Sequence, residues 1–286
     1  MIRFGPSGNS KIFYDEGHKS SIEAPAWLKS KGLTAYEYSF GRGYNMTRET
    51  AVKLGEKAKE NDILISAHAP FYINFANPSD EMAEKSFMYV LTGLKFLDWF
   101  NGEHLVVHLA TQGKMERAEA LELTKKRLIN TIENLKKMDI NLNNKYICPE
   151  TMGKFSQIGN AEEIIDFCAL DEMLIPTFDF GHLNCLTAGR FNSKDEYKRI
   201  FDLSFEKLGE FKTKNCHIHF SKIQYSAKGE IKHLNFDDEL YGPNFEPLAE
   251  VLLDYKLEPT IICESADFMA EDAMKMLNIY ENAKKH

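Results

Sequence analysis

The stretch NDILISAHAPF (Asn61–Phe71) decides the reading of this chain. Its centre, Ile63–Ala67, is a short apolar run of the kind that forms a buried strand. A histidine, His68, follows it at once. The same arrangement recurs outward in both directions. Short apolar or aromatic runs lie at Ile2–Phe4, Tyr36–Phe40, Leu105–Leu109, Tyr146–Pro149, Leu174–Phe178, Cys216–Phe220 and Thr260–Cys263. Longer amphipathic stretches separate them, near 20–31, 47–60, 79–100, 114–138, 160–170, 194–209, 244–256 and 268–284. Within 118–138, Leu121, Leu128, Ile132 and Leu135 recur at helical spacing. Thr47 with Glu49, and the cluster Asn77-Pro78-Ser79, are helix start signals; Gly32 is a stop signal.

Strand and helix alternate along the whole chain. That pattern predicts an α/β protein with a parallel sheet. No GxGxxG follows the first strand, and no change of composition marks a second half. A closed (β/α)8 (TIM) barrel over residues 1–286, as a single domain, is therefore favoured over a doubly wound sheet. The irregular stretch at 221–243 reads as an active-site loop.

Hydrophobic residues make up 43% of the chain and charged residues 27%, enough for an ordinary core. No apolar run is long enough for a membrane span, and the N-terminus carries no signal-like segment. Five widely spaced cysteines without a CxxC pair read as reduced core residues, and with them the chain is expected to be cytoplasmic. The net charge of −8 weighs against nucleic acid as a partner, yet carboxylates that hold cations are cancelled locally.

The chemistry lies in position. His68 follows the third strand, His108 ends the fourth, Glu150 follows the fifth and Asp179 the sixth, with His182 three residues on. His217 lies in the seventh strand and Glu264 follows the eighth. In a (β/α)8 barrel the strand C-termini converge on one mouth, so these groups face a shared cavity. Glu150 and Glu264 singly read as acids at helix N-termini, and Asp179 as a turn cap. Independent capping does not place a histidine or an acid after nearly every strand. Imidazoles and carboxylates without cysteine suit zinc, manganese or iron. His219 shares the face of His217 and reads as a core residue or as the orienter of a ligand. His104, on the opposite rim, reads as structural; His18 and His286 read as solvated.

At these residues the chain resembles the endonuclease IV family. The segments are Ser66-Ala-His68-Ala-Pro-Phe-Tyr-Ile-Asn74, Val107-His108, Pro149-Glu150-Thr151, Asp179-Phe-Gly-His182, Cys216-His217-Ile, Lys232-His233 and Cys263-Glu264-Ser265, in the family's order. The resemblance implies a barrel holding three zinc ions that cleaves DNA 5′ to abasic sites in base excision repair; for this chain two or three zinc ions are expected. It implies that His68 and His108 hold one ion and that Glu150 bridges to a second held by Asp179, His217 and Glu264. His182 and His233 would hold a third. Glu150 and Glu264 would be the catalytic carboxylates. Arg42, Phe71 and Tyr72 would fill the gap left by an extruded sugar. The implied partner is damaged double-stranded DNA, met by a monomer, with no membrane. Ile231 stands where the family has an Asp ligand, with Glu230 and Asp237 as nearby substitutes. Leu109-Ala110 replace Pro-Gly, and His219-Phe220 replace Asn-Asp. Two other readings stay open. Glu150, Asp179, His217 and Glu264 also match the single-metal set of sugar isomerases and epimerases of the xylose-isomerase-like superfamily. A barrel that binds metal without turnover is the third.

Overall fold

The computed structural model describes residues 1–285; His286 lies outside them. Eight parallel strands run as β1 (Arg3–Pro6), β2 (Ala35–Ser39), β3 (Leu64–His68), β4 (His104–Val107), β5 (Tyr146–Pro149), β6 (Thr177–Asp179), β7 (His217–Phe220) and β8 (Thr260–Cys263). β2, β3, β4 and β5 pair in that order, and so do β1, β8, β7 and β6. Bridges Ser7–Glu37, Ile147–Leu174 and Glu150–Thr177 join these two halves, so the sheet closes on itself. The expected (β/α)8 barrel is the fold. Its strands are buried on both faces, as at Leu105, Val106 and Val107, which is why they read as unbroken apolar runs rather than alternating ones.

The sixth strand is shorter than its sequence run. Pro176 has no N–H to give to a ladder, so regular pairing begins at Thr177 and Leu174 makes only an isolated bridge.

The outer layer consists of α1 (Ala24–Ser30), α2 (Arg48–Asn61), α3 (Asp80–Phe100), α4 (Arg117–Lys136), α5 (Ala161–Cys168), α6 (Lys194–Lys214), α7 (Glu246–Asp254) and α8 (Met269–Ala283). Thr47 caps α2, its Oγ1 accepting from the Thr50 amide at 3.2 Å. Reciprocal caps open α5 (Asn160 with Glu163) and α6 (Ser193 with Glu196). The periodic pattern ends at 209 because Gly209 breaks α6 there with φ 76° and ψ −175°. The main core fills the layer between barrel and helices, from Phe4 and Trp27 through Leu128 and Phe201 to Met276. All five cysteines are buried thiols. Among the described residues no helix is long and apolar enough to cross a membrane.

Three features correct the sequence expectations. The stretch 221–243 is not wholly irregular: Lys222–Ser226 and Gly229–Leu234 form an antiparallel hairpin over the mouth. A short helix, Phe180–Leu186, begins directly at the Asp179 cap. His18 is half-buried rather than solvated; it stacks on Phe13 at 4.9 Å and lies 2.9 Å from Glu23 Oε2.

Candidate metal centre

The strand ends at the mouth deliver their polar residues into one space. Glu150, fully buried just beyond β5, sits at the middle and divides its two oxygens. Its Oε2 lies 3.1 Å from His68 Nε2 and 2.9 Å from His108 Nε2. Its Oε1 lies 3.1 Å from Nδ1 of His219. Around Oε1 gather Asp179, His219 and Glu264, and Glu264 Oε2 is 3.4 Å from His219 Nδ1. Beside them stands a further group. His182 Nε2 is 3.7 Å and His233 Nε2 3.8 Å from the carboxylate of Glu230. Three ligand groups therefore adjoin at the mouth: His68–His108–Glu150, Glu150–Asp179–His219–Glu264, and His182–Glu230–His233; a fourth set, Glu37–His217–His219, lies beneath them. Within each, the donor atoms lie within 4.8 Å of one another.

The donor chemistry fits divalent cations. Asp179 Oδ1 accepts the His182 amide at 2.7 Å, but Oδ2 is buried with no hydrogen-bond partner. Its nearest charged neighbour is His182 Nδ1 at 3.3 Å, and a buried carboxylate oxygen without a hydrogen bond is costly unless an imidazolium or a metal cation faces it. The imidazoles are also pinned from behind, as ligand histidines are. His68 Nδ1 lies 2.8 Å from the Ala69 carbonyl and His182 Nδ1 lies 2.9 Å from the Thr151 carbonyl. A carbonyl only accepts, so each Nδ1 carries the proton and each Nε2 turns its lone pair inward. Imidazole and carboxylate donors without thiolate suit zinc, manganese or iron.

With no cation, the side chains neutralise one another. Burial pushes His68 down, but the hydrogen bond and charge of Glu150 outweigh it and hold the imidazole at about 9. His182 also stands at about 9, because Asp179 and Glu150 overcome its burial. Burial raises Glu264, yet His219 draws it down to about 2. Asp179 is raised, by burial first and then by the charges of Glu150 and Glu264.

Of the residues singled out in the sequence, His68, His108, Glu150, Asp179, His182, His233 and Glu264 meet at this centre. His217 does not join Asp179 and Glu264. It lies on the same face of β7 as His219 but one pleat deeper, and His219 takes the place expected for it. His217 Nε2 is 3.0 Å from Glu37 Oε2, and its Nδ1 is 3.1 Å from Nδ1 of His104. Ile231, at the family's Asp position, is 52% exposed, whereas its neighbour Glu230 turns inward. Asp237 pairs with Lys275 at 2.7 Å instead. Arg42, Phe71 and Tyr72 are exposed on adjoining mouth loops, where the Phe71 amide donates to the Gly41 carbonyl at 3.4 Å.

Sequence reasoning missed Glu37 altogether. Its signal was an acid inside the strand run Tyr36–Phe40, where a charge has no reason to be unless it meets a partner in the barrel.

Known proteins place the chain. The family described as the xylose isomerase-like TIM barrel matches residues 25–280. An uncharacterised protein of Methanocaldococcus jannaschii is 29% identical over 280 residues, covering 98% of this chain and 97% of that protein. A probable endonuclease 4 of Carboxydothermus hydrogenoformans is 24% identical over 224 residues, covering 76% of this chain and 75% of that protein. A solved D-tagatose 3-epimerase-like protein superposes with a TM-score of 0.71 at 18% identity, covering 99% of this chain and 97% of that one. At that identity the likeness is one of fold. The closed parallel barrel with histidines and carboxylates gathered at its strand ends, and the family match over most of its length, give one conclusion: the chain belongs to the xylose isomerase-like TIM barrel family.

Proposed function

We propose that this chain is a metal-dependent phosphodiesterase that hydrolyses DNA on the 5′ side of abasic sites, as in base excision repair. One observation carries the reading. Three ligand groups adjoin, and Glu150 reaches two of them with its two oxygens. A single-ion epimerase needs one such group; a multi-ion phosphoesterase needs them all. The relative named as a probable endonuclease 4 supports the same class.

The ions would be zinc, two or three of them, with manganese or iron as other occupants. When bound, they polarise a phosphoryl oxygen and lower the pKa of water for in-line attack on phosphorus. The chain supplies the rest. Glu150, with its side chain 1% exposed, holds the two inner groups in register. Glu264 is the acid of the second group that reaches the mouth, with its side chain 18% exposed. Its place at the opening makes it the carboxylate of that group within reach of an entering water. Phe71 and Tyr72, 53% and 47% exposed, and Arg42 beside them would occupy the gap left by an extruded abasic sugar. The partner is then damaged duplex DNA, met by a monomer through the open mouth. The net charge of −8 counts the ligand carboxylates, which bound cations cancel.

The test is incision of a duplex carrying one abasic site, with bound metals quantified, by the wild type and by Glu150→Gln. Incision 5′ to the site by the wild type alone is expected. Two or more bound ions with no incision would sink the abasic-site reading. A second reading has its own observation: Glu150, Asp179, His219 and Glu264 form a complete set for one ion, as a sugar epimerase requires. One bound ion per chain, with no incision and with turnover of a ketose, would favour it.

A further inference from the structure

Below the mouth, on the barrel axis, lies a second polar cluster that the proposed reaction does not use. It consists of Glu37 from β2, Ser66 from β3, His104 from β4 and His217 from β7, with His219 above them. Glu37, His217 and His219 are wholly buried, Ser66 and His104 nearly so. Glu37 Oε2 accepts from Ser66 Oγ at 2.9 Å and lies 3.0 Å from His217 Nε2. Glu37 Oε1 lies 3.0 Å from His219 Nε2. These last two atoms lack the alignment of a good hydrogen bond, and neither has any other partner. Fully buried, they have only each other.

The protons in this cluster follow from one fact. Glu37 takes the Ser66 hydroxyl and faces two imidazole nitrogens, both ordinarily more basic than a carboxylate, so it is the acceptor of the cluster. The atoms facing it must therefore carry hydrogens. His217 is protonated on Nε2, which leaves its Nδ1 as the acceptor for Nδ1–H of His104. His219 is likewise protonated on Nε2. Its other nitrogen, Nδ1, is hydrogen-bonded to Glu150 Oε1 at 3.1 Å and looks toward Glu264; a cation held there would take the place of the proton on Nδ1.

We infer that Glu37 is a positioning residue: it fixes the ring and tautomer of His219 so that Nδ1 presents its lone pair to the cation held by Glu150, Asp179 and Glu264. Ser66, His217 and His104 hold Glu37 in turn. This rests on the reading of that group as a metal site. The other pinned ligands are oriented differently. His68 and His182 lean on backbone carbonyls, and His233 Nδ1 lies 2.8 Å from Ser221 Oγ. His219 leans on a carboxylate, the partner that most raises the basicity of the nitrogen opposite. The cluster also explains why His217 cannot serve: its Nε2–H is committed to Glu37.

The experiment titrates zinc against a competing chelator in the metal-free full chain, for the wild type, Glu37→Gln, Ser66→Ala and His219→Ala. Glu37→Gln is expected to weaken one ion by about 10- to 100-fold with the number bound at saturation unchanged. Ser66→Ala keeps every charge, should weaken the same ion by less, and carries the test if Glu37→Gln does not fold. In a His219→Ala background neither change should matter further. Imidazole nitrogen NMR of the zinc-loaded wild type should show His219 with hydrogen on Nε2 and none on Nδ1, and a mixture in Glu37→Gln. Unchanged zinc affinity in the folded variants would overturn the inference. So would the loss of a whole zinc equivalent at saturation in Glu37→Gln, because Glu37 would then be a ligand itself. A wild type that binds no zinc would remove the metal-site reading, and this inference with it.

Discussion

At the scale of single residues, the two histidines of β7 make the sharpest contrast. They share a face, and two residues along a strand separate them by about 6.6 Å. His219 therefore reaches the mouth carboxylates, and His217 stays among Glu37 and His104. His219→Asn is expected to remove or severely weaken one bound zinc. His217→Asn should keep the full number of ions and instead destabilise the fold, by about 1–3 kcal/mol, because it leaves buried polar atoms unpaired. Metal counting and thermal melting on both variants check this; loss of an ion from His217→Asn alone would reverse the assignment. The sequence could not separate the two. Alternation puts residues i and i+2 on one face but does not say how deep in the barrel each lies. The Cys216-His217-Ile resemblance filled that gap wrongly, whereas His68, Glu150, Asp179 and Glu264 were legible because each stands directly at a strand's end.

At the scale of elements, the third ligand group depends on a contact between two loops. Residues 222–234 carry Glu230 and His233 on a hairpin whose turn docks on the loop after β5: Glu230 N–H donates to the Gly153 carbonyl at 2.9 Å. Gly229, at φ 98°, permits the approach, since a Cβ there would lie 2.2 Å from the Gly153 carbonyl oxygen. Gly153 is as constrained: a Cβ would meet His182 Cδ2 at 2.8 Å and Glu230 Cβ at 2.9 Å. Gly153→Ala must therefore push His182 and Glu230 away. The expected result is weaker binding of one ion, by about tenfold or more, with the other ions unaffected. Zinc titration of that variant reads it, and uniform weakening of all ions would refute the separation into groups. This hairpin was not legible in the sequence. Its first strand does alternate, with Ile223 and Tyr225 between polar residues, but its second, Gly229–Leu234, does not, and the Lys- and Asp-containing segments around both hid the pair. The barrel strands, buried on both faces, carried a strong signal.

At the scale of the whole molecule, the barrel gathers acids and imidazoles in its interior, and protons and cations compete for them. Raising the pH from about 6.5 to about 9 should therefore destabilise the metal-free protein. Unfolded, His68 and His182 would titrate near 6.5; folded and metal-free, both stand at about 9, because the neighbouring carboxylates outweigh burial. The stabilisation from these two groups is fully present below 6.5 and is lost as the pH rises through 9. Zinc needs the same nitrogens free of protons, so its affinity should rise across the same window. Bound zinc in thousandfold excess over its Kd adds about 4 kcal/mol. Melting curves of chelated and zinc-loaded protein at several pH values between 6.5 and 9 read both effects. The melting temperature of the chelated form should fall and the gap to the loaded form should widen. A gap that stays constant would mean that zinc displaces no protons from His68 and His182, and that these two imidazoles are not its ligands.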